Sequence, residues 1–316
     1  MSWPNLPVFL GCVIGALLVH SERLDAQEAL CPITQILTFE ELHEHVDCLA
    51  SALENRIWQE NLVPAIQFTA GIQVPDRELS FRVSKGCAVV PNYDPRRRSI
   101  NFQHFLIYYS LNYQQAVLAQ LMGFQAASRN EDVAEYFEGR LLPSLQRERV
   151  RCPGSALQTS GRIPMQLPSI LDGTMTPEEQ ENIRNVFENY PKLDALQAYI
   201  AFSPTFFVLL HEVGHSVLHP EGTDGSMAQE TAADEYAAAV LSANELPVTI
   251  ALGLHQIIQS AGRGGDDAKL ACRIENLARN YPVPKSFAEQ FGQHIANRLE
   301  GLRTFYIERY HKKCVQ

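Results

Sequence analysis

His211, Glu212, Val213, Gly214 and His215 place two imidazoles and a carboxylate within five consecutive positions. They lie in an apolar run, Phe206 to Leu218, that predicts a buried helix. Positions i and i+4 of a helix share a face, so His211 and His215 would project together. With that spacing one helix supplies two nitrogen ligands to a single Zn²⁺. Glu212, beside the first of them, would reach a water at the ion and take its proton. The chemistry predicted is metal-assisted hydrolysis.

A third ligand has to come from elsewhere. Glu230-Thr231-Ala232-Ala233-Asp234 carries two carboxylates at i and i+4, again on one helix face. Pro220 cannot continue a helix and disfavours helical geometry at His219, so the first helix should end there. Glu221 to Gly225 reads as a polar loop, and Ser226 with Gln229 as a capping box that opens the next helix. His215 then stands about one turn, roughly 6 Å, before its helix ends, and Glu230 about one turn into the next. If the helices fold back on each other, the two come level. Glu230 becomes the third ligand, with the fourth position open to water. Asp234, one turn on, is placed to accept the Nδ1–H of a ligand histidine and fix its tautomer. His219 is a further i+4 from His215, but at the helix end it reads as a capping or surface residue. Glu221 stands where metzincins carry a third histidine. Those enzymes also need a glycine where this chain has Leu218, so that alternative fits poorly.

The two motifs together resemble the gluzincin peptidases, in which HExxH is followed on a later helix by a glutamate ligand. The form Glu230-Thr231-Ala232-Ala233-Asp234 looks most like families with an HExxH…ExxAD pattern. Within them the chain is similar to a poorly characterised group of bacterial secreted metallopeptidases. That likeness also touches Asn92-Tyr93-Asp94-Pro95 and the run Ser99 to Phe102, and its specific part covers Phe206 to Leu241. It implies one Zn²⁺ per chain on His211, His215 and Glu230, with Glu212 as general base and Asp234 behind the ligands. Gluzincins also supply a His, Tyr or Arg that stabilises the oxyanion. None aligns here, and His255, Arg273 and Tyr281 are the candidates.

Composition agrees with a globular enzyme. The 316 residues are 46% hydrophobic, enough to bury a substantial core, and could form one large domain or two. A formal net charge of −10 argues against nucleic acid as a partner, since phosphate binding needs a basic surface. The one basic run, Arg96-Arg97-Arg98, follows Asp94-Pro95 and reads as a solvated turn. Leu6 to Val19 is almost wholly apolar, the size of a signal-peptide core and short for a membrane span. Leu24-Asp25-Ala26 offers a cleavage site, so residues 1–26 are expected to be a signal peptide and 27–316 the mature domain, secreted or periplasmic, with no stable membrane span. Removing residues 1–26 leaves Cys31, Cys48, Cys87, Cys152, Cys272 and Cys314. Six cysteines in an oxidising compartment allow three disulfides. Nearest-neighbour pairing gives Cys31–Cys48, Cys87–Cys152 and Cys272–Cys314.

The elements around the motifs read as mostly helix. Thr38 with Glu41 opens a helix to Trp58; His43 and His45 on it are i and i+2 and share no face. Leu79 to Val83, Gly86 to Val90 and Ser99 to Phe102 are β-prone runs split by turn residues, which predict a small antiparallel sheet. Helical patterns follow at His104 to Ser128 and Glu131 to Glu148, then a Pro-, Gly- and Ser-rich stretch, 152–173, that reads as a loop or lobe crossing. Thr176-Pro177-Glu178-Glu179 opens further helices that continue through the metal motif, at Val248 to Ser260, Asp266 to Arg279 and Ser286 to Lys312.

The fold class expected is α+β, helix-rich and zincin-like, with an active-site helix pair. The activity expected is zinc-dependent hydrolysis of peptide bonds in a peptide or protein substrate. The strand Ser99 to Phe102 would be an edge that holds substrate as an added β-strand. The alternatives are a secreted zinc-binding protein with a structural or inhibitory role, and a zinc hydrolase of non-peptide amides. Substrate identity, cleavage specificity, activation and oligomeric state are not legible in the sequence.

Overall fold

The structure is a computed structural model. It describes residues 58–59, 62–75, 79–84, 91–103, 106, 117, 121, 192–222, 225–253, 255 and 267–315. The expected signal peptide, all but Trp58 of the helix at 38–58, all but three residues of the helix at 104–128, the helix at 131–148, the strand at 86–90, the crossing at 152–173 and the capping box at 176–179 lie outside them.

The described residues form a helix-rich α+β fold with one small sheet. The elements in chain order are α1 (Val63–Phe68), β1 (Ser80–Ser84), β2 (Asn92–Asp94), β3 (Ser99–Gln103), α2 (Leu193–Leu218), α3 (Met227–Ala243), α4 (Asp267–Asn280), α5 (Lys285–Phe291) and α6 (Gln293–Cys314). Residues 248–253 and 255 are also helical.

The sheet is mixed rather than antiparallel, with strand order β1-β3-β2. β2 pairs antiparallel with β3, Asp94 opposite Ser99, through a turn in which Asp94 Oδ1 accepts from Arg96 N at 3.0 Å and Arg97 N at 3.3 Å. This is the solvated turn expected of the arginine run. β1 joins the other side of β3 in parallel, Ser80 opposite Ser99. Side-chain alternation reports which face of a strand is buried; it carries no information on which neighbour the strand pairs with or in which direction. The pairing also corrects the expectation for Ser99 to Phe102. Among the described residues β3 is the central strand, with Ser99–Asn101 paired on both sides, so it is not an edge that takes up a substrate strand.

α2 begins thirteen residues before the expected Phe206 and has Pro204 inside it. Proline removes one helical hydrogen bond, and here the apolar packing around it outweighs that loss. Leu196, Ile200, Phe207, Leu210 and Val213 on this helix are buried to 0% exposure. Full burial of such side chains contributes about 1.5–3 kcal/mol each, against about 3 kcal/mol for an interior proline. α3 starts at the expected cap: Ser226 Oγ accepts from Gln229 N.

α4 matches the expected helix to within a residue. The single helix expected from Ser286 to Lys312 is instead two, α5 and α6, divided at Gly292 with φ +90. That φ suits glycine and ends α5. α4 and α6 run antiparallel. Cys272 at the start of α4 is disulfide-bonded to Cys314 at the end of α6, the pairing expected from proximity. His311 Nδ1 on α6 lies 2.9 Å from Glu275 Oε1 on α4, and Arg303 donates to Ala278 O at 2.8 Å. The other five cysteines lie outside the described residues. Among the described residues no helix is long and apolar enough to cross a membrane.

Candidate metal centre

The centre sits where α2 crosses α3. Gly214, inside the motif, makes the crossing close: a Cβ there would lie 3.0 Å from Ala233 Cα and 3.2 Å from Ala233 O, closer than most such contacts, so the helices would have to give by a few tenths of an ångström. Glu230 and Asp234 flank Ala233 on α3, so this approach brings both carboxylates onto the histidines of α2.

His211 Nε2 and His215 Nε2 are 3.1 Å apart. Glu230 Oε2 is 3.5 Å from His211 Nε2, and Oε1 is 3.7 Å from His215 Nε2. Each of the three side chains is about 95% buried. Ligands at about 2.0–2.1 Å in a tetrahedron are separated by about 3.3–3.4 Å. The two imidazole nitrogens lie near that spacing, Glu230 turns a different oxygen toward each, and one donor atom from each of the three side chains lies within 4.8 Å of the others, so the group could hold a metal ion. The alignment of the two helices is the one the sequence predicts.

Asp234, 1% exposed, lies behind these three side chains. Its Oδ1 is 2.8 Å from His211 Nδ1 and 3.0 Å from His255 Nε2, and its Oδ2 accepts from Arg273 Nε at 2.6 Å. An ionised carboxylate only accepts, so His211 Nδ1 carries a proton and Nε2 is the nitrogen left to ligate. Arg273 Nη2 is also 3.4 Å from Glu230 Oε2. His211, Asp234 and His255 form a second set of mutually close donors. Hydrogen bonds account for that set, and the Arg273 guanidinium beside it disfavours a cation.

Burial alone would lower the His211 pKa, but the Asp234 and Glu230 carboxylates overcome it and raise it to about 9. Burial, with His211 beside it, lowers His215 to about 4. For Glu230 burial works upward, yet His211 and Arg273 bring it down to about 2. Asp234 is held well below the usual carboxylate range, as His255, His211 and Arg273 outweigh its burial. Without a metal, a proton on His211 thus stands between the two Nε2 atoms, where a cation would take its place. His215 accepts in that arrangement, so its Nδ1 carries a proton, and that buried nitrogen has no partner among the described residues.

Glu212 is buried at 7% exposure beside His211. Glu221 is exposed on the turn after α2 and belongs to neither donor set. His219 caps α2, its ring centroid 6.3 Å from that of His215, and also lies outside both sets. Of the three oxyanion candidates, His255 and Arg273 are committed to Asp234. Tyr281 donates to Glu235 Oε2 at 2.7 Å. The parts His255 and Arg273 play behind Asp234 have no local signature, because neither residue falls at a helical spacing from the motifs.

The described residues thus include a buried His₂Glu group able to hold a metal ion, with an Asp-His-Arg network behind it. No family model, curated protein or solved structure matches the chain.

Proposed function

We propose that this chain is a zinc-dependent metallopeptidase of the gluzincin type, with His211, His215 and Glu230 as ligands and a zincin-like arrangement of the α2–α3 pair and the sheet. The observation that carries this reading is two imidazole nitrogens 3.1 Å apart with a carboxylate that sets one oxygen 3.5 Å from the first and the other 3.7 Å from the second, on two crossing helices. Three protein ligands suit a catalytic ion; structural zinc is normally closed by four. Zinc is favoured over magnesium or calcium because two of the donors are imidazoles.

Bound there, Zn²⁺ supplies a Lewis acid and makes water a competent nucleophile near neutral pH. Glu212 accepts a proton from the attacking water and delivers it to the leaving nitrogen. Asp234 holds the His211 ring in the ligating tautomer.

A peptide would add to the sheet at β2. Among the described residues Asn92–Asp94 form one of the sheet's two edges, the one beside the end of α2, where Tyr93 Oη donates to Pro220 O at 3.5 Å. Main-chain hydrogen bonds would then present an extended segment alongside the histidines.

The test is metal analysis of the purified protein, followed by a broad peptide-library digest with wild type and Glu212→Gln in parallel. Cleavage by the zinc-loaded wild type alone is expected. Stoichiometric zinc with no cleavage of any peptide would turn the reading toward a zinc-binding protein without peptidase activity.

A further inference from the structure

We propose that Arg273 and His255 are positioning residues of the metal centre: Arg273 spans Glu230 and Asp234, and His255 shares Asp234 Oδ1 with His211. This rests on the metal-site reading above.

Arg273 on α4 is 6% exposed and reaches Asp234, Glu230 and His255, with Nη2 3.4 Å from His255 Nε2. Nε bonds Asp234 Oδ2 at 2.6 Å. Nη2 lies 3.4 Å from Glu230 Oε2 and 3.5 Å from the Glu230 carbonyl oxygen. One planar fork therefore holds the side chain and the main chain of the ligand glutamate together with the carboxylate behind it. Glu230 Oε2 is fixed between Arg273 and His211 Nε2, which leaves Oε1 facing His215.

His255 completes the arrangement from the helical residues that follow α3. Its ring is 1% exposed and packs edge-on against Phe207, one turn before His211, at 5.0 Å between centroids. The lone pairs of Asp234 are thus directed at His211, His255 and Arg273. A carboxylate held in this way cannot swing round to ligate the ion. The consequence is a site kept at three protein ligands, with Asp234 orienting His211 from behind.

Two effects of Arg273 on a bound cation oppose each other. Its charge repels the ion, so deleting it would strengthen binding if charge alone mattered. Its geometry orders the ligands, so deleting it would weaken binding. Loss of a partner behind a metal ligand typically costs about 10 to 100-fold in affinity. The proposal is that geometry prevails.

The test compares wild type with Arg273→Met, Arg273→Lys and His255→Leu. Zn²⁺ affinity is read by competitive chelator titration. The visible absorption of the Co²⁺-loaded proteins reads ligand geometry without reference to activity. Arg273→Met is expected to bind Zn²⁺ about 10 to 100-fold more weakly and to alter the Co²⁺ bands. Arg273→Lys, which retains the charge but not the fork, should fall between, and His255→Leu should alter the bands with a smaller loss. If Arg273→Met does not fold, Arg273→Lys carries the same readout. Wild-type affinity and spectrum in all three variants, or tighter Zn²⁺ binding in Arg273→Met, would overturn this proposal alone. A wild-type protein that binds neither ion would overturn it together with the metal-site reading.

Discussion

At the level of single residues, the proposed chemistry rests on Glu212 and His211. Glu212→Gln keeps the shape of the side chain but cannot accept a proton. It should retain zinc and lose at least about 10² to 10⁴-fold in turnover, the usual contribution of a general base; steady-state kinetics beside metal analysis check both halves. His211 decides the pH dependence. Its pKa in the metal-free protein is raised to about 9, so at neutral pH zinc must displace a proton from it. Apparent zinc affinity should therefore rise about tenfold per pH unit through neutrality and level off near pH 9, which titration with a chelator at several pH values would reveal. An affinity flat from pH 6 to 8, roughly the His titration range, would mean that His211 is already neutral. The same shift bears on the stability of the metal-free fold. A folded pKa above the unfolded 6.5 contributes fully below 6.5, and that contribution is lost as pH rises toward about 9. Glu230, depressed to about 2, contributes above 4.5 and loses its contribution as pH falls toward 2. Urea midpoints of metal-free protein should accordingly pass through a maximum between these limits.

The helix crossing decides whether the residues meet. Gly214→Ala places a methyl against the Ala233 backbone, which has no side-chain end to move aside. The helix-propensity gain, about 1 kcal/mol at most, is smaller than the about 1–3 kcal/mol typical of overpacking. The variant should melt lower than wild type and bind zinc more weakly, because separating α2 from α3 separates Glu230 from the histidines. Equal melting temperatures would show that the crossing relaxes without cost. On α3 itself, Glu230→Ala should weaken zinc far more than Asp234→Ala, since it deletes a donor rather than a donor's partner. Glu221→Ala on the exposed turn is the comparison, and competitive chelation ranks the three. A largest loss at Glu221 would remove the gluzincin assignment.

For the molecule as a whole, the Cys272–Cys314 bridge closes the α4–α6 pair on which Arg273 is mounted. For a separation of 42 residues the chain-entropy model gives up to about 4 kcal/mol. The Cys272→Ser/Cys314→Ser double variant should show a urea midpoint lowered accordingly, and the bridge should resist alkylation in unreduced, denatured protein. Labelling of both cysteines under those conditions would show that the bridge does not form.

Local spacing was enough to expect His211 and His215 on one face of a helix and Glu230 and Asp234 on one face of the next, as they are found. A helix repeats every 3.6 residues, and both motifs are written in that period. Pro220 and Ser226 likewise set the end of one helix and the start of the next, because capping and proline geometry are local. The boundaries of α4 were legible from local pattern too, whereas the Cys272–Cys314 pairing, 42 residues apart, was reached only by assuming that neighbouring cysteines pair. The break at Gly292 and the inward extension of α2 past Pro204 were not legible. In each case the chain follows packing or a backbone angle that a pattern of apolar residues does not encode. Strand order lay further out of reach, since alternation names a face and not a neighbour, and so β3 read as an edge when it is central. Arg273 and His255 reach Asp234 from helices later in the chain, at separations that correspond to no period. Only the tertiary structure places those helices, and with them the network behind His211, His215 and Glu230.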